Sequence, residues 1–231
     1  MRKIQLLGIT LQDYSVKEAM KRVDQFLSDG KVSAITFVTT DGLMKAQKDE
    51  LLRDFLSKVD LTIAADVDIL KAANIQTKNR MREIENNDFL IEFLKKLVRA
   101  KSTIVLLTDT NEKLLELEKH LLEYQSGLRI VAGMSLDQMA ADDDALINQI
   151  NMLAPNILIS EIESMKREEI FEKGRLMLNT EVWLMIKSGM PLVKRRENVF
   201  RRISQRIFKN TFRKKVLQYN NSNQTKKGSG K

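Results

Sequence analysis

The chain has 231 residues with 43% hydrophobic and 30% charged side chains, enough for one sizeable core and too apolar for a disordered polypeptide. It has no cysteine and a single histidine, which excludes disulfides, thiolate metal centres and His-cluster transition-metal sites and points to a reducing, cytoplasmic setting without metal or other cofactor. The net charge of +8 is uneven: residues 194–215 hold ten Lys/Arg against Glu197, while residues 1–193 hold 26 basic and 30 acidic residues. An acidic body with a basic end predicts a polyanionic partner.

In chain order, residues 3–12 predict a short strand pair or a strand and turn, with Ile4, Leu6 and Ile9 apolar. Ser15 followed by Glu18 is a capping-box pattern that opens a helix carrying Ala19, Val23 and Phe26 and ending at Asp29-Gly30. Ser33–Thr39 predicts a buried strand, Leu43–Phe55 a helix, and Asp60–Ala64 a second strand with Asp66 just beyond it. A helix from Asn87-Asp88 to Arg99 leads into the strand Ser102–Leu107. The helix Asn111–Tyr124 precedes the strand Leu128–Ala132, and the helix Asp142–Leu153 precedes the strand Asn156–Ser160. A helix over Met165–Leu178 and a sixth strand over Glu181–Ile186 complete the pattern. His120 falls within a helix, away from any strand end, which makes it a surface or packing residue.

Apolar strands alternating with helices predict an α/β fold: a mostly parallel, Rossmann-like sheet with helices on both faces. Ligands of such sheets bind beyond the carboxyl ends of the strands. Attention therefore falls on Thr39, Thr40 and Asp41, on Asp66, on Thr108 to Thr110, and on Glu161 to Glu168. Asp66 has the position of a general base, and equally that of a turn or cap acid. Thr39, Thr40 and Asp41 suit substrate binding, and equally a strand-to-helix turn with Asp41 as its cap. Lys166 and Glu168 fit a ligand contact, and equally the solvated first turn of a helix.

From Leu192 to Leu217 the apolar residues Val199, Phe200, Ile203, Ile207, Phe208, Thr211, Phe212 and Val216 recur near helical spacing among the cations. This predicts a basic amphipathic appendage over 192–219 that docks on an anionic membrane. Packing against the body or a partner subunit, and binding of nucleic acid, are the alternatives. No aromatics interleave the segment in the manner of a nucleic-acid motif, which disfavours the last. The predicted organisation is an α/β domain over 1–191, the appendage over 192–219, and a polar, disordered tail over 220–231.

Three strings resemble one family. They are Val38-Thr39-Thr40-Asp41-Gly42-Leu43-Met44 with Ala46 to Arg53, then Val59 to Asp66, then Pro155-Asn156-Ile157-Leu158-Ile159 followed by Lys166 and Glu168. In order and spacing they are similar to the WecB/TagA/CpsF group of bacterial glycosyltransferases, glycosyltransferase family 26. The resemblance implies transfer of an amino sugar such as N-acetylmannosamine from a UDP donor to an undecaprenyl-diphosphate-linked acceptor, in cell-wall or capsular polysaccharide synthesis. Asp66 would be the catalytic base, with Thr39, Thr40, Asp41, Lys166 and Glu168 binding substrate. Arg195 and Arg196, nearest to a basic string of the family, would hold the lipid diphosphate, and the chain would sit peripherally on the inner face of the membrane, as a homo-oligomer or beside a paralogous subunit.

The departures from the family pattern lie at strand ends: Val67, Thr108-Asp109, Glu161, Glu163, Met165 and Arg167 replace residues that in the family are glycine, proline or glutamine. Two carboxylates beside a diphosphate favour a second expectation, a catalytically inactive member serving as membrane-bound scaffold or regulatory subunit.

Overall fold

A computed structural model of the chain describes residues 2–75, 77–139, 142–163, 165–186 and 211–222. Strands β1 (Arg2–Leu6) and β2 (Ile9–Asp13) form an antiparallel hairpin that turns at Leu7 and Gly8, both at positive φ. Helix α1 (Val16–Phe26) follows, closed by the Ser15/Glu18 capping box. Then come β3 (Ser33–Val38), α2 (Thr40–Ala46), α3 (Glu50–Lys58), β4 (Leu61–Ala64), α4 (Val67–Ala72), α5 (Lys78–Glu85) and α6 (Asp88–Ala100). The second half runs β5 (Thr103–Thr108), α7 (Asn111–Tyr124), β6 (Arg129–Ser135), α8 (Asp143–Leu153), β7 (Ile157–Glu161), α9 (Lys166–Met177) and β8 (Val182–Met185). Residues 211–222 form a last helix, α10.

Strands β3 to β8 build one six-stranded sheet in the order β4-β3-β8-β7-β5-β6, and every described pairing in it is parallel. The predicted α/β class and its six core strands are therefore present. Side chains alternate between two cores, as the strand pleat requires. Val105, Leu107, Leu158, Trp183 and Met185 face a layer built from the hairpin, α2, α3, α4, α8, α9 and α10. Ile104, Leu106, Ile157, Ile159, Val182 and Leu184 face α1, α6 and α7. Trp183 is fully buried, and its indole N–H donates to Ser160 Oγ at 2.8 Å, so the one polar atom of the largest core side chain is satisfied.

Two local departures from expectation matter. The helix expected over Leu43–Phe55 is two helices, because Asp49 accepts a hydrogen bond from Leu52 N–H at 3.1 Å and starts α3 afresh. The stretch after Asp66, unassigned from sequence, holds α4 and α5. Helix α5 buries none of its residues and so carries no apolar stripe to reveal it.

Chain direction sets the crevice. From β5 the chain passes through α7 outward to β6, whereas from β7 it passes through α9 in the opposite sense to β8. The carboxyl ends of β5 and β7 thus flank a topological switch point, the usual ligand position in open α/β sheets. The ends of β3 and β4 lie on the same rim of the sheet.

Candidate functional site

At the end of β3, Thr39 caps α2: its Oγ1 accepts from Gly42 N–H at 3.1 Å. The cap is Thr39 rather than Asp41, which instead reaches Lys45 one turn on at 3.3 Å. The first helical residue, Thr40, donates its backbone N–H (2.7 Å) and its hydroxyl (3.1 Å) to Asp66 Oδ2 at the end of the neighbouring strand β4. Asp66 stands at the N-cap position of α4 yet makes no cap bond there. Its carboxylate is therefore anchored across the strand ends through one oxygen, while Oδ1 accepts no hydrogen bond among the described residues. A half-buried carboxylate fixed by one oxygen and open at the other is a geometry suited to accepting a proton.

Beside this pair lies a cleft of about 390 Å³ whose polar lining includes Thr39, Asp41, Lys45, Glu163 and Arg167, over an apolar floor of Phe37, Leu52 and Ile162. Arg167 extends from α9 with its guanidinium 4.7 Å from the ring centre of Phe55 and hydrogen-bonded to Glu168 Oε1. Glu168 is 1% exposed and also accepts from Met165 N–H, closing the first turn of α9. Its charge is thus matched by Arg167 and a backbone donor, as burial demands.

At the switch point itself, Asp109 and Glu163 share Lys113. The ammonium lies 2.8 Å from Asp109 Oδ2 and 3.1 Å from Glu163 Oε1, and Asp109 also accepts Glu163 N–H. Burial pulls the Lys113 pKa down, but the hydrogen bonds and charges of Asp109 and Glu163 outweigh it and hold the pKa above its ordinary value. One of the two acids expected to repel a diphosphate, Glu163, is therefore neutralised in place. Among the described residues no group of three or more His, Cys, Asp or Glu is arranged to hold a metal ion.

Residues 4–211 match the family model described as Glycosyl transferase WecG/TagA/CpsF family. The chain belongs to that family. A search of curated proteins returns no match. Family membership supports a glycosyltransferase role in general terms, and the structure shows where each expected residue lies. Thr39 and Asp41 line the cleft; Thr40 and Asp66 form the adjoining anchored pair. Lys166 does not join them: its ammonium pairs with Asp143 of α8 at 2.8 Å. Glu168 is buried against Arg167. The residue between them, Arg167, is the one that reaches the cleft. Lys45 was likewise unmarked from sequence; its place one helical turn after Asp41 is the available signal. Arg195 and Arg196 lie outside the described residues.

Of the basic appendage, α10 is described. Phe212 is fully buried, Val216 nearly so, and Tyr219 partly, and all three pack into the core that includes the hairpin. The Tyr219 hydroxyl lies so close to Gly8 that a Cβ there would approach it to 2.7 Å. Arg213, Lys214 and Leu217 point to solvent. In this stretch the apolar stripe faces the body. The helix also runs to Ser222 and so takes in the first three residues of the expected tail.

Proposed function

We propose that the chain transfers an N-acetylamino sugar, N-acetylmannosamine-like, from a UDP donor to an undecaprenyl-diphosphate-linked acceptor in cell-wall or capsular polysaccharide synthesis, at the cytoplasmic face of the membrane. The observation that carries this reading is the Asp66 carboxylate, held on Thr40 through one oxygen beside the cleft. In the proposed step, Asp66 Oδ1 takes the proton of the acceptor hydroxyl as that oxygen bonds to the anomeric carbon of the donor. The bond from this carbon to the β-phosphate oxygen breaks, and its electron pair leaves with UDP. Lys45 and Arg167 on the cleft supply positive charge for the departing diphosphate, and Thr39 and Asp41 offer hydrogen bonds to the sugar.

Attachment would use the cations that α10 turns outward, Arg213 and Lys214, with exposed Leu217 beside them and the basic stretch before residue 211. Among the described residues no helix is long and apolar enough to cross a membrane. Flotation with anionic vesicles tests attachment. Arg213→Glu with Lys214→Glu should release the protein, whereas truncation would strip Phe212 and Val216 from the core and confound the result.

A second reading, a catalytically inactive membrane-bound scaffold, is favoured by the carboxylates that this chain carries at the end of β7, Glu161 and Glu163. Calorimetry with UDP, followed by UDP-release kinetics with a UDP-amino sugar and a polyprenyl-diphosphate acceptor, separates the two. Binding with turnover supports transfer; no heat at millimolar UDP refutes it.

A further inference from the structure

Helix α5 is attached to the body differently from its neighbours. Each of the other described α-helices buries at least two residues, whereas α5 buries none. It reaches the apolar core through Ile84, which is only partly buried. Its hold is ionic instead. Arg80 donates to Asp13 Oδ1, at the end of β2, at 2.5 Å and pairs with Glu83 on its own helix. Glu83 also accepts the Val16 N–H, at the start of α1, at 3.3 Å. The Arg80 and Asp13 side chains are 16% and 9% exposed, so the pair is largely withdrawn from water. The transfer proposed above makes no use of these charges.

The surface that α5 covers is the carboxyl ends of β3 and β4. Under the helix lies a void of about 20 Å³, room for about one water. Its walls include Phe37, Ile63 and Ala64 of the strands, Ala19 of α1, and Arg80 and Ile84 of α5. Phe37 also lines the cleft, and Ala64 lies two residues before Asp66. Asn74 and Asn87, on either side of α5, both hold left-handed backbone, at φ 57° and 55°. Asparagine adopts that conformation at less cost than most side chains, and a few such positions absorb the backbone change when a segment swings. We propose that α5 is a hinged lid, latched by Arg80 on Asp13, whose opening uncovers the apolar strand ends beside Asp66. Opening takes little apolar surface out of the core. It also returns both charges of the latch to water, so hydration offsets much of the attraction lost. Segments held in this way open on their own, well below the free energy of global unfolding, and the lids of binding sites are drawn from them. The lid follows from the chain's own contacts and stands whether or not the proposed transfer reaction does.

Hydrogen exchange of the full chain, read by mass spectrometry, is the test. Asp13→Asn keeps the shape of the latch and removes its negative charge. Amides of residues 81–86 should then exchange on the order of tenfold faster than in the wild type, while residues 93–97 of α6 keep their wild-type rate. Because the chain has no cysteine, Ala19→Cys places a single thiol on the wall of the void, at a position that is 1% exposed. That thiol should react slowly with dithiobis(nitrobenzoate), and on the order of tenfold faster when combined with Asp13→Asn. Ala46→Cys, 0% exposed on α2 and not on the void, reports general loosening and should be unaffected by Asp13→Asn. Glu83→Gln weakens the latch at a more exposed side chain (24%) and should give the same pattern to a smaller extent, also where Asp13→Asn fails to fold. Unchanged exchange over residues 81–86 in both variants overturns the inference. So does faster exchange over 81–86 and 93–97 alike, or equal acceleration of the two thiols.

Discussion

Replacing Asp66 by Asn tests the proposed base most directly, because structure and chemistry predict opposite sizes of effect. Asp66 Oδ2 accepts from Thr40 N–H at 2.7 Å and from the Thr40 hydroxyl at 3.1 Å. Hydrogen bonds to a charged acceptor contribute about 1.5–3 kcal/mol each, against about 0.5–1.5 for neutral ones. The asparagine carbonyl can keep both bonds in neutral form, so stability should fall by about 2–3 kcal/mol. A domain of this size loses about 2–4 °C per kcal/mol, so the melting temperature should drop by no more than about 12 °C. The amide cannot take a proton, and loss of general-base assistance should lower kcat by about 10²–10⁴-fold, or roughly 3–5 kcal/mol in the barrier. Thr40→Val is the companion variant. It removes the 3.1 Å bond, keeps the carboxylate and should cost activity less than tenfold. Initial-rate UDP release and thermal melts on the same preparations give both numbers. If Asp66→Asn retained more than a third of the activity, or if Thr40→Val were as inactive, Asp66 would be a structural anchor and not the base.

Arg167→Met should destabilise the protein by about 3–5 kcal/mol in chemical denaturation, since Glu168 would be left 1% exposed without its cation. Glu168→Gln in that background should recover much of the loss, and a strictly additive double-mutant cycle would contradict the pairing. The upward pKa shift of Lys113 means that its stabilisation is complete below the ordinary value of 10.5 and disappears as pH rises through the folded-state pKa. The stability gap between wild type and Lys113→Met should therefore be constant at neutral pH and narrow above about pH 10.5. A gap unchanged at alkaline pH would show that Asp109 and Glu163 do not hold the ammonium. Phe212→Ala should cost about 3–5 kcal/mol if α10 unfolds with the domain. A smaller loss together with rapid amide exchange over residues 211–222 would show that α10 undocks by itself.

Much of the scaffold was legible in the sequence because buried parallel strands are continuous apolar runs. Ile104-Val105-Leu106-Leu107 and Ile157-Leu158-Ile159 admit few other readings once helices flank them. The break between α2 and α3 was not legible, since Leu43, Met44, Leu52, Phe55 and Leu56 keep a helical period across it while Asp49 caps the second helix locally. Helix α5 escaped for the reverse reason, having no buried face. In the candidate site, strand-end position found Thr39, Thr40, Asp41 and Asp66 but could not say which of them would bond. The Thr40–Asp66 pair depends on β3 and β4 being neighbours, and adjacency of strands is a property of topology. The same limit hid Arg167. Lys166, Arg167 and Glu168 are consecutive, and about 100° of helical rotation per residue sends them to Asp143, to the cleft and to the interior.

The carboxylates at the strand ends look hostile to a diphosphate when read from sequence, yet their partners change the sign of the argument. Glu163 shares Lys113 with Asp109, Glu168 is matched by Arg167, and Asp41 lies 3.3 Å from Lys45. The cleft lining thus holds two acids, Asp41 and Glu163, and two cations, Lys45 and Arg167. Lys45 and Glu163 are mostly solvent-exposed, so a phosphate arriving at Lys45 meets a flexible ammonium that exchanges one anion for another at small cost. Arg167 differs: it is buried, stacked on Phe55 and tied to Glu168, so its guanidinium is placed before any ligand arrives. A fixed cation beside an anchored carboxylate resembles what electrostatic preorganisation requires at a transferring phosphate ester. The glycine losses in this chain therefore put side chains between the rim's backbone N–H groups and a ligand while the cleft lining stays balanced in charge, and a change of binding chemistry explains them at least as well as a loss of function does.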